Sequence, residues 1–179
     1  MKSKAFTLVE ILIVVAVISI LTAVIIPSYY WSERRLALER SALQVAQDIR
    51  GAKEMAMSVR ELSTGNVPPG YGVYFEKSPT NLLYIYADTN PSPGDEEYST
   101  TDQTVSEIKL EKKVSIKTIY CDSAEVNSVS VNFKPPDPSI KIVGDGIEGN
   151  LAVIILCLDS DNNKTKTIKI NKIGLVTIE

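Results

Sequence analysis

Residues Phe6 to Ile26 read FTLVEILIVVAVISILTAVII, an apolar run of 21 residues interrupted by a single charge, Glu10. A helix of that length covers about 31 Å at the helical rise, close to the roughly 30 Å of a bilayer's hydrocarbon core. The run is apolar on every side, so it has no stripe with which to dock on a soluble domain. A buried core helix would need a protein large enough to enclose it. Lys2 and Lys4 precede the run, and the positive-inside rule keeps that end in the cytoplasm. Residues 27–179 then face outward. A cleaved secretory signal fits poorly, because such a core spans about 7 to 15 residues and ends at small residues. Here the run passes into Pro27-Ser28-Tyr29-Tyr30-Trp31.

Composition removes other classes. The 179 residues contain no histidine, which excludes Ser-His-Asp and Cys-His catalysis and His-ligated zinc. Two cysteines are too few for a cysteine-only metal site or a disulfide-dense scaffold. A net charge of −3 is unlike the basic surface of a nucleic-acid binder. No nucleophile–base pair and no phosphate loop is visible, so the chain reads as a non-enzyme.

Glu10 is the anomaly within the apolar run. A carboxylate inside a membrane helix costs roughly 2.5 kcal/mol or more, and such a residue calls for a partner. It lies about 6 Å along the helix from Phe6. Snorkelling to the interface is one reading, and neutralisation by a cation within an assembly is the sharper one.

The stretch Lys4-Ala5-Phe6-Thr7-Leu8-Val9-Glu10-Ile11 resembles the class III leader junction of type IV prepilins and type II secretion pseudopilins. The resemblance implies cleavage between Ala5 and Phe6 by a prepilin peptidase, then methylation of the Phe6 amine. It implies that Glu10 pairs with the N-terminal amine of a neighbouring subunit. Two opposite charges buried together cost less than either buried alone. One departure is Ala5, where the family usually has Gly; alanine is small but could slow cleavage. Implied partners are other pilin or pseudopilin subunits, the peptidase, an inner-membrane assembly platform and membrane lipid. The implied location is a single-pass inner-membrane precursor that later enters a filament.

Pro27 closes the apolar run and resembles the helix-bending proline of pilins. Beyond it, Leu38, Ala42, Val45, Ile49, Ala52, Ala56 and Val59 recur at spacings of three and four, a stripe for packing against a sheet. One helix is expected from about Thr7 to about Leu62, stopped by Gly65-Asn66-Val67-Pro68-Pro69-Gly70. The period then changes to two. Strands are expected at Tyr71–Glu76, Leu82–Ala87, Val105–Leu110, Val114–Tyr120, Ser128–Phe133, Ile140–Val143, Leu151–Leu158, Thr165–Ile170 and Ile173–Ile178. Leu151–Leu158 is apolar on both faces and is placed centrally. The expected fold is α+β and pilin-like, a long helix packed on an antiparallel β head. The divisions are leader 1–5, filament-core helix 6–26, outer helix 27–61 and head 62–179. The head resembles minor pilins and pseudopilins of the H type.

Two segments could carry chemistry in the head. Asp88, Asp95, Glu96, Glu97 and Asp102 crowd one loop, and Asp159, Asp161 and Asn163 have the spacing that opens a calcium loop. Solvated turns explain both, so no cofactor is expected and calcium stays an alternative. Lys164, Lys166, Lys169 and Lys172 form the head's basic cluster. From residue 62 onward, however, 11 lysines face 16 carboxylates, a net charge of −5. A charged strand edge is the plainer role, and DNA is not an expected partner. A DNA-binding minor pilin and a membrane-anchored periplasmic binding domain are the competing readings. Cys121 and Cys157 are open between one disulfide, which an extracytoplasmic head would permit, and two buried thiols.

Overall fold

The computed structural model describes residues 7–77, 83–89, 94–135 and 140–179. Helix α1 runs Leu8–Met57 and includes position 27 without a break in its assignment; the side chain of Pro27 lies outside the described residues. The chain divides into two compact units, Met1–Leu36 and Ala37–Glu179. Helix α1 contributes residues to both.

Within the second unit, Leu38, Ala42, Val45, Ile49, Ala52 and Ala56 are all buried, as the spacing requires. Three of these stripe positions are alanine, which brings the helix close to the surface it covers. Val59 departs from the expectation and is half exposed, because the helix stops five residues short of Leu62 in a Schellman motif. The Arg60 amide donates to Met55 O and the Val59 amide to Ala56 O, with Val59 left-handed at φ 51°. That conformation normally takes glycine, and a β-branched side chain there costs about 1–2 kcal/mol. Val59→Gly is therefore expected to raise the stability of the head by about 1 kcal/mol, or roughly 3 °C in melting temperature. Thermal circular dichroism of the full chain in detergent checks it, and an unchanged or lower midpoint refutes it.

Among the described residues the remaining elements are eleven strands: β1 Gly70–Glu76, β2 Leu83–Asp88, β3 Gln103–Glu107, β4 Val114–Cys121, β5 Ala124–Val126, β6 Ser128–Phe133, β7 Ile140–Gly144, β8 Ile147–Gly149, β9 Leu151–Leu158, β10 Asp161–Asn171 and β11 Val176–Ile178. They form two antiparallel sheets, ordered β3-β2-β1-β6-β7-β8 and β11-β10-β9-β4-β5. With the helix, this is the expected α+β, pilin-like layout. Val73, Ile85, Val131 and Ile142 share one inward row of the first sheet, and Ile119, Ile154 and Ile168 one inward row of the second. Both rows join the helix stripe in one core.

β9 lies between β4 and β10, as expected, but it is not buried on both faces. Ala152, Ile154 and Leu156 point inward while Leu151, Val153 and Ile155 are only half covered. β10 begins at Asp161, so the acidic turn shrinks to Asp159-Ser160, and a bulge between Asp161 and Thr165 takes up the slack. β3 starts earlier and ends earlier than expected, and β11 keeps only the end of Ile173–Ile178. β5 and β8, three residues each, were absent from the strand pattern. β8 closes a hairpin on β7 through Asp145-Gly146, both left-handed at φ 46° and 78°, the conformation a two-residue hairpin turn demands.

Candidate functional site

The N-terminal segment is built for an apolar surrounding. From Leu8 to Ile26 the large side chains are about half exposed or more among the described residues. The hydroxyls of Ser19 and Thr22 donate to Val15 O and Ile18 O at 2.8 and 2.7 Å. Each polar group in the run is thereby satisfied inside the helix, which hydrocarbon requires. Tyr29, Tyr30 and Trp31, more than half exposed, follow directly. Aromatic rings concentrate at the headgroup level of a bilayer, so these three mark one boundary of the span. The sequence reading registered them only as bulky.

Glu10 has a local role that the sequence reading overlooked. Its Oε2 accepts hydrogen bonds from the Thr7 amide and the Thr7 hydroxyl, both at 2.8 Å, and the Glu10 amide returns one to Thr7 Oγ1 at 3.2 Å. This is a capping box at the start of α1, and Thr7-x-x-Glu10 is its sequence signature. Ala5 and Phe6, the expected cleavage and methylation positions, lie outside the described residues.

Residues 1–26 match the family model of the prokaryotic N-terminal methylation motif. The chain carries a prepilin-type leader. No curated protein and no solved structure matches it. The leader joined to an apolar helix makes this a prepilin-like protein, and among the described residues one helix is long and apolar enough to anchor it in a membrane. Such a leader implies processing by a prepilin peptidase and assembly with other pilins.

In the head, the acidic loop is organised around its backbone. Asp88 is fully buried, and its Oδ2 accepts from the Glu96 amide at 2.8 Å and from Asn132 Nδ2 at 3.3 Å. Burial pushes the Asp88 carboxyl up from its usual range, with the charges of Asp102 and Asp95 adding to the effect against the pull of the Glu96 amide. Asp102 accepts from the amides of Thr89 and Ser99 at 2.9 and 2.8 Å. The loop carboxylates thus hold the loop itself. Asp161 Oδ1 likewise accepts from the Asn163 amide, and Lys164 lies beside Oδ2. Among the described residues no three acidic or thiol groups converge as a metal-ligand set. Three of the four lysines of β10 and its turn have acidic neighbours: Lys169 pairs with Glu179, Lys172 with Glu148 and Lys164 with Asp161. A surface neutralised in this way offers little to a phosphate backbone.

The cysteines do not pair, which corrects the disulfide alternative. Cys121 and Cys157 are both buried free thiols. The register sets Cys121 opposite Ala152 and Cys157 opposite Ser115, so they are separated by roughly 17 Å along β9. A disulfide needs Cα atoms within about 7 Å. Cys121 is a packing residue seated under two glycines: a Cβ on Gly149 would lie 2.4 Å from its Sγ, and one on Gly144 2.6 Å from its Cβ. Burial raises the Cys121 thiol above its ordinary range, and Asp122 adds to this. Alkylation of denatured, unreduced protein is accordingly expected to label both cysteines, and a protein that takes up no label would overturn the assignment.

Proposed function

We propose that this chain is the precursor of a pilin or pseudopilin subunit, cut between Ala5 and Phe6, methylated on the Phe6 amine and assembled into a filament through its N-terminal helix. The observation that carries the reading is the methylation motif over residues 1–26 joined to an apolar run, residues 6–26, whose one carboxylate is Glu10. In the single chain, Glu10 Oε2 caps the first turn. In an assembly, the amine of a neighbouring subunit supplies the charge that makes burial of the carboxylate tolerable. The head lies outside the cytoplasm, on the far side of the aromatic residues that end the span.

A minor, H-type subunit is favoured over the major one, on the loose resemblance of the head's strand pattern. Intact mass spectrometry of the protein recovered from membranes and from sheared filaments tests the processing. The expected N-terminus is methylated Phe6. A chain beginning at Met1, or one beginning after Ile26, defeats the reading. If Ala5 is a slow substrate, both forms appear in membranes, and Ala5→Gly removes the longer one.

A further inference from the structure

A cleft of about 180 Å³ lies between the outer face of the first sheet and loop 94–102. The sheet side is a cross-strand row, in which Tyr74 of β1 sits between Tyr84 of β2 and Ser130 of β6, with Val143 of β7 beyond. The loop side brings Tyr98 down onto that row. Its ring stacks on Tyr74 with centroids 4.0 Å apart and planes at 25°, and Tyr86 meets it edge-on at 5.1 Å. The amides of Glu96 and Ser99 are fastened to Asp88 and Asp102, so Tyr98 is held from both sides. The aromatic wall is preorganised.

The polar lining faces the cleft with acceptors. Ser128 donates its hydroxyl proton to Asp145 Oδ1 at 2.9 Å, and Ser130 donates to Val143 O at 3.5 Å. Burial alone would raise the Asp145 carboxyl, but hydrogen bonds from the amides and side chains of Asn127 and Ser128 hold it below its usual range, so it stays ionised. Glu97 supplies a second carboxylate on the loop side, and no lysine or arginine is among the described lining residues. The Tyr74 phenol is pushed up by burial, against the pull of a hydrogen bond with the Ser128 hydroxyl, and the negative charges of Glu76 and Asp145 add to the rise. The cleft is thus negative, acceptor-rich and walled by two tyrosine rings.

We propose that this cleft binds an alkylammonium group, held against the Tyr74–Tyr98 rings with its charge toward Glu97 and Asp145. A cation against an aromatic face gains from the ring quadrupole, and the gain grows as water is excluded. An anion would meet two carboxylates. A neutral sugar would leave the negative charge of the lining unanswered. The volume suits a group of small size, displacing roughly six waters at about 30 Å³ each. That chemistry is available from a free quaternary ammonium compound or from a lysine side chain of a partner protein.

The test uses the full chain in a non-ionic detergent at low salt, titrated with choline and, separately, with Nα-acetyl-lysine methylamide, while the tyrosine ring resonances are followed. Saturable shifts of Tyr74 and Tyr98 are expected with at least one of them. Choline alone identifies a free quaternary ammonium ligand, and the lysine analogue alone identifies a protein side chain. Glu97→Gln is expected to weaken binding about fivefold, and raising salt to about 0.5 M to weaken it similarly. Tyr98→Leu is expected to weaken it about tenfold, whereas Tyr98→Phe, which keeps the ring, retains it. The Glu97 variant keeps the shape of a half-buried loop side chain and changes only its charge, so its result stands even if the Tyr98→Leu loop loosens. No saturable shift with either amine overturns the proposal. So does equal binding of glucose or inorganic phosphate, or an affinity that Glu97→Gln leaves unchanged.

Discussion

A Glu10→Leu variant is expected to enter the membrane at least as well as the parent chain and to be lost from filaments. Removing the carboxylate relieves roughly 2.5 kcal/mol or more of insertion cost. The same substitution removes the only charge in the apolar run that a neighbouring subunit's amine could meet. It also removes the capping box with Thr7, whose loss costs about 0.5–2 kcal/mol at the first turn. Glu10→Gln separates the two effects. Glutamine completes a capping box as well as glutamate does, but it carries no charge. If charge pairing drives assembly, both variants are absent from sheared filaments while both remain in membrane fractions. If capping is what matters, Glu10→Gln assembles and Glu10→Leu does not. Parental filament levels for both variants would show that Glu10 has no part in assembly.

The second large effect is expected deep in the head. Tyr86 is fully buried, and its ring lies over Gly72 on the adjoining strand. A Cβ on Gly72 would come within 2.4 Å of the Tyr86 ring. The ring cannot swing aside, because Tyr98 lies edge-on against it and its hydroxyl meets Asn132 Nδ2 at 3.4 Å. A ring covering a strand glycine is a known way of shielding its exposed backbone. Gly72→Ala overpacks this contact and is expected to cost about 1–3 kcal/mol, lowering the melting midpoint by roughly 3–10 °C. Tyr86→Ala alone also destabilises, by opening a cavity. The double variant is expected to be less unstable than the two losses added together, with a coupling of at least about 0.5 kcal/mol. Simple additivity would mean that the ring and the glycine do not constrain each other.

The sequence was most legible where one local signal decides the outcome. Ser128–Phe133 and Leu151–Leu158 occupy the strands that their patterns indicate, because unbroken alternation or a dense apolar run over six to eight residues has few other solutions. The helix stripe from Leu38 to Ala56 was readable for the same reason. The end of the helix was not. Its left-handed residue is Val59, whereas sequence reasoning looks for glycine and therefore ran on towards Gly65. The short strands β5 and β8 carry no period of their own and exist because a partner strand and a turn place them. The thiols of Cys121 and Cys157 both sit where β4 meets β9, yet only the register shows that they lie at different levels of the same ladder. The tyrosine-walled cleft has the same origin. Tyr74, Tyr84 and Tyr98 are unremarkable in order along the chain, and the pairing of β1 with β2 and β6 brings them together. At the N-terminus, Thr7-x-x-Glu10 was legible as a capping box and went unread beside the stronger leader signal.

The way the helix is fastened to the head bears on how the molecule carries load. Arg40 grips Glu111 with two hydrogen bonds, at 2.7 and 3.0 Å, and the Glu111 amide donates to Ser41 Oγ. Past the other end of the buried stretch, the Tyr71 hydroxyl donates to Arg60 O at 2.6 Å. Between these clasps, five stripe residues from Ala42 to Ala56 are locked into the core. A pull along the helix axis therefore cannot peel contacts away one at a time. It must slide the whole seated segment, breaking both clasps and the apolar seam together. Forced extraction is governed by the barrier to opening rather than by the equilibrium stability, and a shear geometry of this kind makes that barrier high. A head attached in this way resists tension far better than its modest surface ion pairs would suggest.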